Sequence, residues 1–282
     1  MNWSSVATKA RARTGPADGE RRMAFRWLVA GLTGAAWLTL WLWSASPYGR
    51  LLEHGGWADG GVLGSLCRAI PEGNVLVPAL LHAASWVLMI AAMMLPTTLP
   101  LVEMFRRIVA ERTDRNRLVA LLVAGYLAAW LGFGLIAHTL DALVHSVIAS
   151  FPWLAIHAWV VGAAVLGIAG VFQFSALKYR CLEKCHTPFG FIIERWRGQA
   201  PPREALRLGV DHGLFCVGCC WALMLLMFVV GTGSIGWMLA LAAVMATEKN
   251  LPGGRRLRTP LGVALIASAM VIVLVNLRLV GE

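Results

Sequence analysis

The chain has 282 residues, of which 58% are hydrophobic and only 14% are charged. Soluble domains carry roughly 25% charged residues, so the composition excludes an ordinary soluble domain and indicates an integral membrane protein. The six cysteines are too few and too unevenly placed for the disulfide framework of a small secreted domain. The formal net charge of +10 would suit a nucleic-acid partner, but the positions of the lysines and arginines along the chain argue against one.

Apolar segments of spanning length follow one another along the chain, since about 20 residues cross the roughly 30 Å hydrocarbon core of a bilayer. They are residues 25–45, 76–96, 118–140, 155–176, 213–231, 234–250 and 260–280. The sixth is short enough to be tilted or partly re-entrant. The sequence therefore predicts an all-α, polytopic transmembrane bundle of about seven helices. A basic cytoplasmic leader at 1–24 precedes a single transmembrane domain at 25–282.

The lysines and arginines lie almost entirely on one predicted side of the membrane. Of the 25 bases, all but Arg50, Arg68 and Arg278 fall in the leader and in alternate connections. The positive-inside rule then puts the N-terminus inside and the C-terminus outside. We expect a multi-pass protein of the bacterial inner membrane whose bases face anionic lipid. The lipid bilayer is thus the predicted partner of the bases, and nucleic acid is not.

A histidine and three cysteines lie at the start of the fifth predicted span. They are His212, Cys216, Cys219 and Cys220. Because an α-helix turns 100° per residue, the four side chains share one stripe of the helix. Soft sulfur ligands select Cu(I), Zn(II) or iron–sulfur chemistry. Buried free cysteine is also a common small hydrophobe, so packing alone is the alternative.

A second thiol group, Cys181, Cys185 and His186, lies in the connection at 177–212, predicted to be a cytoplasmic loop. If this segment is helical, the two cysteines share a face, as suits a metal clamp or a redox pair. The two groups would form two halves of one site if the loop folds back onto the fifth span. We expect that it does.

Further candidate ligands end the second and sixth spans on the same predicted side. Met93 and Met94 precede Pro96, and their thioethers suit Cu(I) better than Zn(II). Core packing is the alternative for both. Glu248 precedes Lys249 at the end of the sixth span, either as a pair reaching the membrane surface or as an acidic partner of the site.

The motifs resemble those of a known bacterial family. They are residues 89–96, Gln173 with Lys178, Cys181 with Cys185, residues 213–224, and residues 237–249. The family consists of predicted metal-binding integral membrane proteins, classed as a domain of unknown function and sometimes labelled copper chaperones. The resemblance implies a polytopic inner-membrane protein that binds a metal, and it implies no substrate, reaction or direction of transfer.

These observations predict a protein that handles a soft metal, first Cu(I) and second Zn(II), with a copper chaperone or a metalloprotein client as partner. No catalytic set is predicted. Two other hypotheses stay open: a membrane thiol–disulfide oxidoreductase that uses Cys181, Cys185, Cys216 and Cys219, and a structural or assembly protein whose cysteines pack without metal. No phosphate-binding loop of the Gly-rich, Lys-Ser/Thr type is present in the sequence, which argues against ATP-driven pumping by this chain alone.

Overall fold

The computed structural model describes residues 16–45, 76–157, 159–230, 235–251 and 253–280, and their regular structure is helical throughout. The described helices are, in chain order, α1 (Pro16–Ser44), α2 (Leu76–Met93), a 3-10 turn (Pro96–Thr98), α3 (Leu99–Ile108), α4 (Arg115–Ser150), α5 (Pro152–Ile156), α6 (Trp159–Phe172), α7 (Ala176–His186), α8 (Pro188–Arg195), α9 (Pro201–Val230), α10 (Ile235–Asn250), a second 3-10 turn (Gly254–Leu257) and α11 (Arg258–Val280). The predicted all-α class is confirmed for this part of the chain.

Within the described residues, four helical stretches are long and apolar enough to cross a membrane. They are Met23–Ser44, Arg115–Ile148, Pro201–Met227 and Gly254–Arg278. Large apolar side chains lie exposed on their surfaces, as lipid contact requires; Leu135, for example, is 71% exposed. Such exposure is unusual for a soluble monomer.

Two further spans would each be a bent pair of helices. Ala83–Met93 continues into Pro96–Ile108 with a 46° bend, and Trp159–Phe172 continues into Ala176–His186 with a 62° bend. The described part of the chain therefore supports four to six spans, and the count of seven is not confirmed. The predicted sixth span forms α10, which has only 16 residues.

Both bends have a local cause. Pro96 has no amide hydrogen, so the hydrogen-bonding ladder of α2 cannot pass through it. Ser175 stands in an extended conformation before α7, and its hydroxyl accepts a hydrogen bond from the Lys178 amide at 3.1 Å. Such a cap starts a new helix in a new direction. The result is that α7 turns back toward the bundle.

The connection over residues 177–212, predicted to be a cytoplasmic loop, is largely helical, because α7, α8 and the first turns of α9 occupy most of it. The Glu204 carboxylate accepts hydrogen bonds from the four backbone amides of residues 197–200, at 2.6–3.1 Å. This satisfies amides of the short connection before α9, which have no partner within a helix. Hydropathy detects only the apolar part of a helix, so it missed the polar beginning of α9.

Helix α9 is the central element of the bundle. Of the four spanning stretches it is the most buried, with 56% of its apolar window inside the protein. Glycines let α4 approach it closely: a Cβ at Gly213 would lie 2.6 Å from the Ala129 Cβ, and Gly209 faces the backbone of α4 at Leu122. Small residues at such contacts allow helices to pack tightly in membranes. The packing fixes the helix that carries three of the cysteines.

Candidate functional site

The five described cysteines lie on α7 and α9, two helices that pack against each other, and all five belong to or pack against one apolar cluster. Cys181 and Cys185 lie on α7, and Cys216, Cys219 and Cys220 lie on α9; Cys185 is half-buried and the other four are buried. The contact depends on Gly218, since a Cβ there would lie 2.7 Å from the Cys181 Sγ atom. The Cys185 side chain reaches the Cys219 thiol. The expectation that residues 177–212 fold back onto the fifth span is confirmed.

Two of the three thiols of α9 share one backbone carbonyl. The Cys219 and Cys220 thiols donate hydrogen bonds to the Cys216 carbonyl oxygen at 3.1 and 2.8 Å, and their own Sγ atoms lie 3.5 Å apart. This follows from the i, i+3, i+4 spacing, which puts the side chains on one helical face. Two thiols therefore stand close enough to bind one ion or to react with each other.

Cys216 differs from its neighbours because its sulfur faces other helices. The Lys249 ammonium donates to the Cys216 Sγ atom at 2.9 Å. The Tyr126 hydroxyl lies 3.1 Å from the same sulfur and 3.3 Å from the Met94 carbonyl oxygen. The Cys216 sulfur is thus held in a polar environment within an apolar core.

The methionines ending α2 belong to this region. Both Met93 and Met94 are buried, and the Met94 sulfur lies 3.7 Å from the Lys249 Nζ atom. They pack in the same apolar cluster as the cysteines of α9. Of the two, Met94 has its sulfur beside the polar centre, so it is the better candidate ligand.

Glu248 faces a second buried charge rather than the thiols. Its carboxylate accepts a hydrogen bond from Lys178 at 2.7 Å, and Lys178 also donates to the Gln173 side chain. Its backbone oxygen lies 2.8 Å from the His186 Nε2 atom. Both Glu248 and Lys249 are buried, so the alternative of a pair reaching the membrane surface is wrong for the described structure. This network joins α7 to α10.

His212 precedes Cys216 by one helical turn and is 3% exposed. Its ring packs against Tyr126 and Phe191, with centroids 5.9 and 5.5 Å away. The Nδ1 atom has no hydrogen-bond partner among the described residues. The imidazole is therefore held by aromatic packing, with one nitrogen available to a ligand.

Outside the predicted spans, an open cavity of about 630 Å³ lies between α8 and the start of α9. Its charged lining includes Arg195, which binds Asp211 at 2.8 Å and Glu194 at 3.1 Å. Hydrogen bonding to Lys184, and then to Arg195, holds the pKa of Glu194 below its ordinary value. Both acidic and basic side chains line the cavity, and one of them is Asp211, the residue before His212.

Among the described residues, no three His, Cys, Asp or Glu side chains converge as a ready-made metal site. The reason lies in the partners just given, since Cys216 faces Lys249, the thiols of Cys219 and Cys220 bond to backbone, and Glu248 binds Lys178. The donor types nevertheless suit a soft ion, because buried thiols and the Met94 thioether lie in one apolar cluster.

Sequence reasoning missed one of these residues and underused three more. Tyr126 was not considered, although a tyrosine in the middle of an apolar span is a polar group at membrane depth. Lys178 and Gln173 were noted as motif residues without a role, and Lys249 was noted only beside Glu248. Their buried contacts depend on how α2, α4, α7 and α10 meet.

Comparisons with known proteins agree with these features. A family model named PpoB2 and described as a copper chaperone matches residues 83–272, well over half of the chain. The matched region holds the five clustered cysteines, Met93, Met94, His212 and Glu248. Neither the curated proteins nor the solved structures include a match. The chain therefore belongs to the PpoB2 family, whose members are described as copper chaperones.

Proposed function

We propose that this protein is a multi-pass protein of the bacterial inner membrane that binds Cu(I) in its helical core and transfers it to a copper chaperone or metalloprotein client. One observation carries the proposal: buried thiols of α7 and α9 lie in one apolar cluster, in which the Cys216 and Met94 sulfurs both contact the Lys249 ammonium. Ionisable groups at membrane depth are costly and mark functional sites. The family description supports copper as the ion.

The donor set favours Cu(I) over Zn(II). Thiolates bind both ions, whereas thioethers are soft donors that suit Cu(I). We assign the primary ligands to Cys216, Cys219 and Cys220, with Met94 and Met93 as secondary sulfur donors. Cys181, Cys185 and His186 on α7 form a clamp through which the ion is passed, with His212 at the approach to Cys216. Glu248 is the acidic partner of this clamp, through Lys178 and the His186 contact.

The direction in which the site opens follows from the predicted orientation. With the N-terminus inside, the start of α9 and the ends of α2, α7 and α10 lie toward the cytoplasm. The bases in these connections support this orientation. Cu(I) is therefore exchanged with the cytoplasmic side.

A second candidate function is thiol–disulfide exchange. It is favoured by the contact between Cys185 and Cys219 and by the 3.5 Å separation of the Cys219 and Cys220 sulfurs. Exchange needs an accessible thiolate, and four of the five described cysteines are buried. Metal binding is therefore the better supported of the two functions.

Copper stoichiometry tests the proposal. The detergent-purified protein is reconstituted with Cu(I) under anaerobic, reducing conditions, and bound copper is measured by elemental analysis. We expect about one Cu(I) per chain, as one buried group of soft ligands implies, and its loss in the Cys216→Ser/Cys219→Ser/Cys220→Ser variant. Cys67→Ser, which removes the one cysteine outside the described residues, is the matched control and should retain copper.

Equal copper binding by the triple variant and the wild type would contradict the proposal. Absence of copper from both, together with a disulfide between α7 and α9 found by alkylation mapping, would favour thiol exchange. If neither copper nor a disulfide is found, a purely structural role for the cysteines is the remaining explanation.

A further inference from the structure

The ammonium of Lys249 occupies a small polar site among soft donors. Its Nζ atom lies 2.9 Å from the Cys216 sulfur, 3.5 Å from the Thr97 hydroxyl oxygen and 3.7 Å from the Met94 sulfur. These groups come from α9 and from the end of α2, whereas Lys249 comes from α10. We call the position of this nitrogen the cation site. The lysine is 5% exposed, so solvent does not share the charge.

The hydrogen-bond pattern fixes the polarity of this site. A lysine ammonium has three N–H donors and no acceptor, so the Cys216 sulfur, the Thr97 oxygen and the Met94 sulfur all present lone pairs to it. The carboxylate of the preceding residue, Glu248, is engaged by Lys178 instead. Among the described contacts of Lys249, the Cys216 sulfur is therefore the group that best balances its charge.

The same donors would receive a soft monovalent ion. A thiolate with a neighbouring thioether carries one negative charge, and one positive charge at the cation site neutralises it. A second positive charge in this buried volume would be repelled strongly, because Coulomb interactions strengthen as the local dielectric constant falls. The ammonium and a bound Cu(I) ion therefore exclude each other from the cation site.

We infer that Lys249 is a built-in substitute for the ion, and that Cu(I) binds to Cys216 and Met94 by displacing its ammonium. This inference rests on the proposed function and adds how the site is regulated. The hydrogen bond from Lys249 to Cys216 breaks as the Cu–S bond forms. The ammonium keeps its proton and leaves the cation site by rotation of its flexible four-carbon side chain, so the charge at the site stays at one. Competition from a tethered ammonium weakens binding and favours release, as a protein that passes copper on requires. It also disfavours divalent ions.

The affinity of charge-removing variants tests this inference. Cu(I) dissociation constants are measured by competition with a chromogenic chelator for the wild type, Lys249→Met and Lys249→Gln. We expect binding tighter by about tenfold or more, because a hydrogen bond to a charged group no longer has to be broken. Lys184→Met, which removes an exposed lysine of α7, is the control for net charge and should bind as the wild type does. Adding Met94→Leu to Lys249→Met should cancel part of the gain.

The possible results distinguish a failure of this inference from a failure of the proposed function. If the wild type binds Cu(I) and both Lys249 variants bind it equally or more weakly, the ammonium is not a competitor but a counter-ion of the copper complex, and the inference is overturned. If no variant and no wild type binds Cu(I), the proposed function itself fails. A measurement on the wild type needs no variant to fold: Ag(I), a soft monovalent ion, should displace Cu(I), whereas displacement by Zn(II) at equal concentration would overturn the argument from charge.

Discussion

Replacing Lys178 by methionine should destabilise the fold far more than replacing any exposed lysine. The Lys178 and Glu248 side chains are 0% and 3% exposed, and their charged atoms lie 2.7 Å apart. Methionine keeps the length of the side chain but leaves the Glu248 carboxylate buried without its cation. Breaking a buried pair from one side costs about 3–5 kcal/mol. The Glu248 Oε1 atom already lacks a hydrogen-bond partner among the described residues, so no second donor there compensates for the loss.

Removing both partners should have a much smaller effect. In the double variant Lys178→Met/Glu248→Leu no charge remains buried, and such apolar replacements are often neutral or stabilising by roughly 1–4 kcal/mol. The signature of the pair is therefore non-additivity, with two costly single variants and a double variant close to the wild type. Gln173 stays in place in all of them, and its amide also donates to the Ala169 carbonyl oxygen at 3.3 Å.

The assay is reversible unfolding in mixed detergent micelles, in which SDS is titrated and helicity is followed by circular dichroism. Thiol alkylation is measured in parallel, because the network joins α7 to α10 and its loss should expose Cys181 and Cys185. Lys184→Met is the matched control: it removes a surface pair with Glu194 at 3.3 Å, with side chains 40% and 55% exposed. Such a pair contributes about 0–1 kcal/mol.

A cost of less than about 1 kcal/mol for Lys178→Met would refute the reasoning, since it would mean that Glu248 is hydrated or uncharged in the folded protein. A double variant as unstable as the sum of its singles would also refute it, because the two residues would then act independently.

Two further predictions concern helix α7. Gly218→Ala should destabilise the fold by about 1–3 kcal/mol through overpacking, because the new Cβ would lie 2.7 Å from the Cys181 sulfur. Thermal unfolding checks this against the control Gly132→Ala, where nothing lies within 4 Å of the new Cβ. Equal stability of the two variants would show that α7 does not pack on Gly218. Ser175→Ala removes the cap of α7 and should lower the stability of the fold by about 0.5–2 kcal/mol, whereas Ser175→Thr, which keeps the hydroxyl, should lower it less. A threonine variant less stable than the alanine variant would exclude capping as the cause of the bend.

Much of the architecture could be predicted because a bilayer simplifies the problem. Each spanning helix must satisfy its own backbone, so an apolar run of sufficient length is nearly enough to identify it. The predicted spans 118–140 and 260–280 fall within long described helices, as does the span 213–231 up to residue 230, where the described helix ends. Residues 76–96 and 155–176 correspond to the bent pairs, where Pro96 and Ser175 interrupt the helix. Boundaries were less predictable, since polar turns such as the start of α9 have no hydropathy signal.

The candidate site was predictable in its residue types and not in its contacts. The spacing of Cys216, Cys219 and Cys220 implies a shared helical face, and this face is present. Nothing local in the sequence indicates that Lys249 would reach Cys216, which is 33 positions away, or that the Met94 sulfur would lie 3.7 Å from the same ammonium. The two residues Glu248 and Lys249 are adjacent in sequence, yet they serve separate polar centres.

The sequence by itself determined that the protein is helical, with apolar stretches long enough to cross a membrane, and that five of its cysteines are concentrated in two short segments, because composition and helical periodicity are local properties. The tertiary structure decided which charges enter the core. Burying Lys178, Glu248 and Lys249 requires partners from different helices at distances of 2.7–2.9 Å, and a buried charge is tolerated only where such partners are supplied. The close packing of α9 with α4 and α7 brings these helices together, and it depends on Gly209, Gly213 and Gly218 of α9, where a Cβ would clash with the neighbouring helix.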